Sequence, residues 1–535
     1  MPQALAVVVP RAHNRAGRRQ YDTTTFSQLE ADSNRLASGL RRFGVAPGMR
    51  IVLLVRPSME FISLVFALFK AGAVIVLVDP GMGRKNLIRC LADAEPEGFI
   101  AVPIVQAIRS LLKSRFPRAQ YNITVGRRLF WNGLTLDELR AMGSDAPFCH
   151  DTRGDDAAAI IFTTGSTGPP KGVLYRHGNF DRQVTELGDF YQIRPGEIDL
   201  PGFPLFGLFN CALGVTTVIP DMDPSRPARV DPRNIVDAVQ DWNVTQAFGS
   251  PAIWNRVGQY CLEHGVTMPT LARVLSAGAP VPPHVLERMK KAIAADGEVH
   301  TPYGATESLP VASIGASEVL SETRHRWAQG GGTCVGRKFP GIEWKVIQIV
   351  DGPIATLADA TQMPRGEIGE LIVCGPVVTS HYVTRSEANA LAKIADAPRF
   401  WHRMGDAGYF DEQGRFWFCG RVAHRVQTAD GAMYTIPCEA IFNQHRSIFR
   451  SALVGVGPAG QQRPVIVAEP WPGGFPRGRQ GRDSLLSELR QLAAENPLTQ
   501  HIHDFLLHSS LPVDVRHNAK IFREQLAVWA ARKLR

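Results

Sequence analysis

Residues 160–172 read IIFTTGSTGPPKG, from Ile160 to Gly172. An apolar, β-branched run enters a stretch of Thr163, Thr164, Gly165, Ser166, Thr167 and Gly168, and Lys171 follows two prolines. A strand feeding a Gly/Ser/Thr loop is a physical recipe for holding phosphate oxygens. Glycine lets the backbone N–H groups approach, hydroxyls add donors, and lysine adds charge. The loop is not a Walker A motif, because Pro170 precedes the lysine and Gly172 stands where a magnesium-binding hydroxyl would follow it. Nor does it fit the dinucleotide fingerprint of a Rossmann unit.

Around this loop the chain alternates strand and helix patterns. Phe26 to Phe43 has helical spacing, 48–55 (GMRIVLLV) reads as a buried strand, and 59–72 (MEFISLVFALFKAG) as a helix running into 73–79 (AVIVLVD). The alternation resumes at Asp156: strand 157–162, a helix after Lys171, strand 245–250, helix 251–265 and strand 272–278. Such βαβ order predicts parallel sheets with helices on both faces. After about Val335 the texture becomes hairpin-like, with Asp411 to Gly414 as a polar turn between aromatic strands. From Val422 onward come strands at 451–457 and 464–470, a Gly/Pro/Arg-rich loop at 472–482, and helices near 483–495 and 521–534. The fold class expected is α/β: a large N-terminal domain (1–421) of stacked α/β subdomains plus a β-rich subdomain, then a small mobile α+β domain (422–535).

Composition narrows the function classes. Hydrophobic content of 44% and charged content of 20% in 535 residues suit a globular protein with sizeable cores. The net charge of +9 comes from 59 basic and 50 acidic residues that are well mixed, without the aromatic-interleaved basic strips of a nucleic-acid binder. Residues 422–535 hold 14 Lys/Arg against 9 Asp/Glu, so +5 of the excess lies there, and Arg477, Arg479 and Arg482 form a small cluster that reads as a solvated loop, with peripheral contact to a membrane surface, an acidic protein or a nucleotide as the alternative. Eight cysteines include no C-x-x-C pair, which speaks against zinc clusters and disulfide frameworks and suits the cytoplasm. The most membrane-like stretch, Ile62 to Val78, is interrupted by Lys70 and reads as a buried helix–loop–strand unit, so no transmembrane segment is expected.

Three further segments give the loop its company. Tyr303-Gly304-Ala305-Thr306-Glu307 offers an aromatic plane, a hydroxyl and a carboxylate suited to Mg²⁺. Asp406 lies beside Gly405, suited to a pair of ribose hydroxyls, and Arg421 ends the aromatic hairpin. In this order and spacing, the set resembles the adenylate-forming superfamily of acyl-CoA synthetases, luciferases and peptide-synthetase adenylation domains. The likeness extends to 67–80 (ALFKAGAVIVLVDP), 275–289 (LSAGAPVPPHVLERM), 366–376 (GEIGELIVCGP) and 511–523 (LPVDVRHNAKIFR), and so covers nearly the whole chain.

The resemblance implies activation of a carboxylate by ATP with Mg²⁺, giving acyl-AMP and pyrophosphate. It implies that Thr163 to Gly168 and Lys171 hold the β/γ-phosphates, and that Tyr303 stacks on adenine beside Gly278 and Ala279. It gives Thr306 the α-phosphate, Glu307 the metal, and Asp406 with Arg421 the ribose. Lys520 would bridge the carboxylate and α-phosphate. Acyl contacts are implied at Phe203, Phe206, Gly207, Leu208, Phe209, 249–254 (Gly249 and Trp254 included) and Ala305.

The departures are informative. Two residues past Arg421, where acyl-CoA synthetases carry an aspartate that helps the small domain rotate for thioester formation, stands Ala423. The loop 428–441 (TADGAMYTIPCEAI) is displaced by about one residue from the family spacing. A substrate carrying its own β-hydroxyl would need no external thiol. The run as a whole is similar to the β-lactone synthetases of bacterial long-chain olefin biosynthesis, whose acid is a 2-alkyl-3-hydroxyalkanoate. That resemblance implies a long-chain β-hydroxy acid substrate and assembly with a thiolase and other olefin-pathway enzymes. A long-chain acyl-CoA or fatty acyl-AMP ligase is the alternative within the superfamily, and a non-catalytic nucleotide-binding scaffold of a lipid-processing complex is the alternative outside it. His177 and His424 are candidates for the base that takes the hydroxyl proton.

Overall fold

The computed structural model describes residues 1–14, 19–163, 169–513 and 520–534. Among these residues two large sheets dominate. The seven-stranded sheet contains the parallel strands Arg50–Leu54, Val74–Leu77, Gly98–Ala101, Tyr121–Thr124 and Ala157–Phe162. Its edge strand Gly172–Arg176 runs antiparallel to Ala157–Phe162. The 14-stranded sheet has a parallel half, which includes Ile198–Pro201, Gln246–Gly249, Arg273–Ser276 and Glu298–Ala305. It turns antiparallel at the hairpin Glu298–Ala305/Ser308–Gly315 and continues into the hairpin strands Arg399–Phe410 and Phe416–Arg421.

Local chemistry explains the elements that the patterns predict. Helix Phe26–Phe43 starts at a capping box between Thr25 and Gln28 and stops at Gly44, whose φ of 105° suits only glycine well. Helix Met59–Lys70 is capped by Ser58 and buries Phe61, Ile62, Leu64, Val65 and Leu68. Among the described residues, no helix is long and apolar enough to cross a membrane.

Two boundaries differ from expectation. Lys171 leads into a strand, Gly172–Arg176, and the helix starts only at His177. Val173, Leu174 and Tyr175 are buried on both faces, and β-branched and aromatic residues in such a run favour the sheet. The segment 472–482 is only half a loop, because helix Gly478–Ala494 begins inside it. Arg479 pairs with Asp483 one turn on, and the Arg482 guanidinium lies 5.7 Å from the Phe475 ring.

The last hundred residues build a three-stranded sheet (Ile448–Val456, Arg463–Pro470, Asp504–Leu507) with its own core of Phe442, Leu453, Ile466, Leu485, Leu489 and Phe505. Glu439 of helix Thr435–Phe442 is buried there. It accepts from Arg523 (Nη2 to Oε2, 3.0 Å) and from the Leu453 amide (2.7 Å). The displaced loop 428–441 therefore ends in a carboxylate that ties its helix to helix Arg523–Lys533.

Candidate active site

Thr306 and Glu307 occupy the two-residue tip where the large sheet turns from parallel to antiparallel. The tip is held from several sides. Tyr175 on the edge strand of the other sheet donates its hydroxyl to the Thr306 carbonyl at 2.6 Å. Thr379 donates both its amide (2.9 Å) and its hydroxyl (3.0 Å) to the Glu307 carbonyl. Tyr382 donates its hydroxyl to Glu307 Oε1 at 2.7 Å, leaving the second carboxylate oxygen for another partner.

The strand pair that carries Tyr175 also carries the two ends of the Gly/Ser/Thr loop. Thr163 and Lys171 close it as a hairpin, the Thr163 amide donating to the Lys171 carbonyl (3.0 Å) and the Lys171 amide to Thr163 Oγ1 (3.2 Å). Thr164, Gly165, Ser166, Thr167 and Gly168 lie outside the described residues. Because Lys171 leads into a strand, no helix N-terminus follows the loop directly. The Lys171 ammonium sits 4.7 Å over the Tyr382 ring, so Tyr382 links the lysine to Glu307.

A third group lies on the hairpin strands. Asp406 and Arg421 are cross-strand partners, joined by a 2.6 Å bond from Arg421 Nη1 to Asp406 Oδ1. Tyr303 donates its hydroxyl to the other carboxylate oxygen of Asp406. Burial and the Asp406 charge push the Tyr303 phenol well above its usual range, so it remains a donor. The Asp406 charge holds the Arg421 guanidinium above its ordinary value. Gly278 takes φ 95° and is exposed, two residues after the buried end of strand Arg273–Ser276, and Ala279 follows half-buried. Gly304 and Ala305 complete strand Glu298–Ala305, and a Cβ on Gly304 would meet the Ser308 carbonyl at 2.7 Å.

An apolar cavity is lined among others by Leu187, Phe206, Phe209, Phe248, Leu275 and Pro302, the last of these preceding Tyr303 on its strand. Phe206 stacks on Phe248 with centroids 3.8 Å apart, and Phe203, 39% exposed, packs 5.8 Å from Phe206. Gly207 is buried against Thr217 and Pro201. Gly249 gives room to the Trp254 indole, since a Cβ there would meet that ring at 2.9 Å. Trp254 belongs to the core on the far side, donating to the Leu275 carbonyl at 3.3 Å.

The cavity wall also includes a polar network of Asp199, Asn210 and Gln246. Asp199 is buried and accepts from Asn210 at 2.7 Å, and Arg273 bridges Glu197 (2.7 Å) and Gln246 (2.8 Å). Burial, the dominant effect against the Asn210 bond, pushes the Asp199 carboxyl up to about 7. A carboxyl whose folded value is raised binds its proton more tightly when folded, so it costs stability as pH rises from about 4 to about 7. Asp199→Asn is expected to remove that slope. Between pH 5 and pH 8 the variant should gain on the order of 3 kcal/mol relative to the unmodified chain in urea unfolding. Parallel stability curves would contradict the assignment.

Lone residues of ordinary type were missed by sequence reasoning and found by the geometry. Tyr382 is one. Lys393 is another: it donates to the Thr379 carbonyl, lies 5.2 Å over the Phe400 ring, and is pushed down to about 7 by burial, against the opposing attraction of Glu307. His402 is buried behind it with Nδ1 3.1 Å from the Ala392 carbonyl, and burial holds its imidazole neutral. Of the two histidines considered as bases, His177 lies at the far end of strand Gly172–Arg176, roughly 16 Å along the chain direction from the phosphate loop. His424 is near Arg421, 3.3 Å from Glu524, and pushed down to about 4 by burial. Among the described residues no group of three or more His, Cys, Asp or Glu side chains could hold a metal ion. A single carboxylate such as Glu307 still fits Mg²⁺, which is commonly held by one protein carboxylate with substrate phosphates and water.

Residues 2–383 match the AMP-binding enzyme family, and the chain belongs to that family. The solved structure of ATP-bound MatB from Rhodopseudomonas palustris has the same fold, with a TM-score of 0.77 at 22% identity over 100% of this chain and 97% of that one. Within the family the chain stands with proteins named olefin beta-lactone synthetase. It is 47% identical to that of Stenotrophomonas maltophilia over 541 residues, covering 100% of this chain and 96% of the relative. It is 46% identical to that of Xanthomonas campestris pv. campestris, covering 99% and 95%.

Proposed function

We propose that this chain activates a long-chain 2-alkyl-3-hydroxy acid with ATP and closes the resulting acyl-AMP to a β-lactone, releasing AMP and pyrophosphate. The observation that carries this reading is the 47% identity, over the full length, to a protein named olefin beta-lactone synthetase. The apolar cavity lined by Phe206, Phe209, Phe248 and Pro302, the residue before Tyr303, and the triad Tyr303–Asp406–Arg421 support it.

In the first step a substrate carboxylate oxygen bonds to the α-phosphorus of ATP and the bond from that phosphorus to pyrophosphate breaks. Both reactants are anionic, so the protein contributes mainly charge and position. Thr163, the loop 164–168 and Lys171 hold the β/γ-phosphates. Tyr303 stacks on adenine beside Gly278, Ala279, Gly304 and Ala305, and Asp406 and Arg421 take the ribose hydroxyls. Thr306 donates to the α-phosphate, and Lys520 reaches from the small domain to both reacting anions. Glu307 would hold Mg²⁺, which when bound supplies neutralising charge between phosphates. Phe203, Phe206, Gly207, Phe209, Gly249 and Trp254 form or support the acyl wall.

In the second step the β-hydroxyl oxygen bonds to the acyl carbon, the acyl–phosphate bond breaks, AMP leaves and the hydroxyl proton passes to a base. The two reacting groups belong to one molecule, so the gain in effective molarity offsets part of the ring strain. Ala423, where acyl-CoA synthetases carry an aspartate, fits an enzyme that presents no external thiol. Residues 1–421 and 422–535 act as large and small domains in this scheme. The separate core around Leu453 and Ile466 and the polar character of contacts such as Arg425–Asp351 (2.7 Å) and Gln444 to the Ala328 carbonyl (2.6 Å) support a body able to reorient. The same reading implies assembly with a thiolase and other olefin-pathway enzymes, and a cytoplasmic setting.

The hydroxyl requirement gives a direct test. With a 3-hydroxy acid, AMP release should continue over many turnovers without any thiol. With the same acid lacking the hydroxyl, it should stop after about one equivalent of acyl-AMP per enzyme. Equal sustained turnover with both acids would overturn the cyclisation step.

A further inference from the structure

Helix Pro103–Leu111 sits with its polar side inward. Gln106, fully buried, donates to the Phe99 carbonyl (3.0 Å) and the Ile123 carbonyl (2.9 Å), and its own oxygen accepts from buried Arg109 at 2.8 Å. Turning the helix over would strand those two carbonyls and the guanidinium, so its orientation is fixed by hydrogen bonds. The consequence is an apolar stripe facing solvent at i, i+4 and i+7: Ile104, Ile108 and Leu111 are 67%, 44% and 77% exposed. The loop after the neighbouring strand lies against the start of this helix, Gly126 being in contact range of Pro103, and it carries Leu129 and Phe130, 59% and 70% exposed. Five large apolar side chains thus project from one edge of the seven-stranded sheet. Exposed large apolar side chains grouped on two adjoining segments mark an interaction surface.

Charge selects the occupant. Exposed Lys113 and Arg115 follow the helix and exposed Arg127 precedes Leu129, and none of the three forms an ion pair among the described residues. The nearby carboxylates Glu95 and Glu97 are taken by Arg118, and Glu138 by Arg128. The free charge around the stripe is therefore cationic. A projecting apolar ridge with a basic rim matches a bilayer surface bearing anionic headgroups, with the apolar side chains entering the acyl boundary.

We propose that the edge formed by helix Pro103–Leu111 and the loop at 125–133 docks this protein on anionic membrane, independently of how the active site is read. The test uses the full chain and sedimentation with phosphatidylcholine vesicles, with or without phosphatidylglycerol. The unmodified protein should pellet with the anionic vesicles, lose binding as salt rises, and stay in solution with phosphatidylcholine alone. Ile104→Ser, Ile108→Ser and Leu111→Ser combined, and separately Lys113→Glu, Arg115→Glu and Arg127→Glu combined, should each weaken binding by about tenfold or more. All six positions are exposed, so the unfolding midpoint should hold. Failure of the unmodified protein to bind anionic vesicles overturns the proposal, as does undiminished binding by both variants. A dimer in light scattering that the serine variant dissolves, with no vesicle binding, would instead assign the edge to a second copy of the chain.

Discussion

Lys520→Ala is expected to slow pyrophosphate release by about a thousandfold while leaving the fold and the conversion of preformed acyl-AMP largely intact. The argument is electrostatic. Formation of acyl-AMP brings a carboxylate against a polyanion, and a cation aimed at both is worth about 10²–10³ in rate in comparable preorganised sites. Lys520 enters helix Arg523–Lys533 three residues later, and Arg523 anchors that segment to buried Glu439. The buried Arg523–Glu439 pair is retained in the variant and keeps this segment on the small domain. Stopped-flow pyrophosphate release with an unchanged thermal midpoint is the expected pair of results. Full release by the variant would show that another group neutralises the reacting anions.

The second large effect concerns stability. Arg403 and Glu370 are a buried pair, 7% and 3% exposed at their side chains, joined through Nε (3.0 Å) and Nη2 (2.6 Å). Arg403 also donates to the Val350 and Gly352 carbonyls, so its loss strands three acceptors. Arg403→Met should cost about 3–5 kcal/mol, the range for breaking a buried pair from one side. Burial already raises the Glu370 carboxyl, so the orphaned group would take up a proton and recover a part of that cost. Adding Glu370→Gln to Arg403→Met should regain more, because the buried charge is then gone. Asp406 lies three residues along the same strand, so the single variant should also raise the KM for ATP. A loss below about 1 kcal/mol in urea unfolding would mean that the pair is far better solvated than its burial implies.

The parts of this protein that were legible in its sequence are those where local chemistry and global fold agree. Thr25 and Gly44 bracket a helix that the apolar spacing already outlines, and Asp411 to Gly414 turns a hairpin whose strands are aromatic. Strand Gly172–Arg176 was missed because a phosphate loop followed by apolar residues matches the strand–loop–helix habit of other nucleotide folds, and periodicity over five buried residues cannot separate strand from helix. Among the candidate site residues, Tyr303, Thr306, Glu307, Asp406 and Arg421 stand out in the sequence because each sits in a run of distinctive neighbours, and the fold brings Tyr303, Asp406 and Arg421 into contact. Tyr382, Lys393 and His402 were not, since their meaning comes from tertiary contact around Glu307 and no local spacing encodes it. Asp199 escaped for a similar reason. The aspartate is plain in the sequence, but only the fold shows that it is buried at the cavity wall with Asn210 and Gln246. Helix Pro103–Leu111 inverts the usual rule, because its buried side is specified by Gln106 bonding to two strands.

The central claim is thiol-free closure of an activated β-hydroxy acid. It is tested most directly by incubating the pure protein with ATP, Mg²⁺ and a long-chain 2-alkyl-3-hydroxy acid, with no thiol present, and identifying the products by NMR. The account predicts a β-lactone with AMP and pyrophosphate in equal amounts. An absolute requirement for coenzyme A, or ADP in place of AMP, would contradict it.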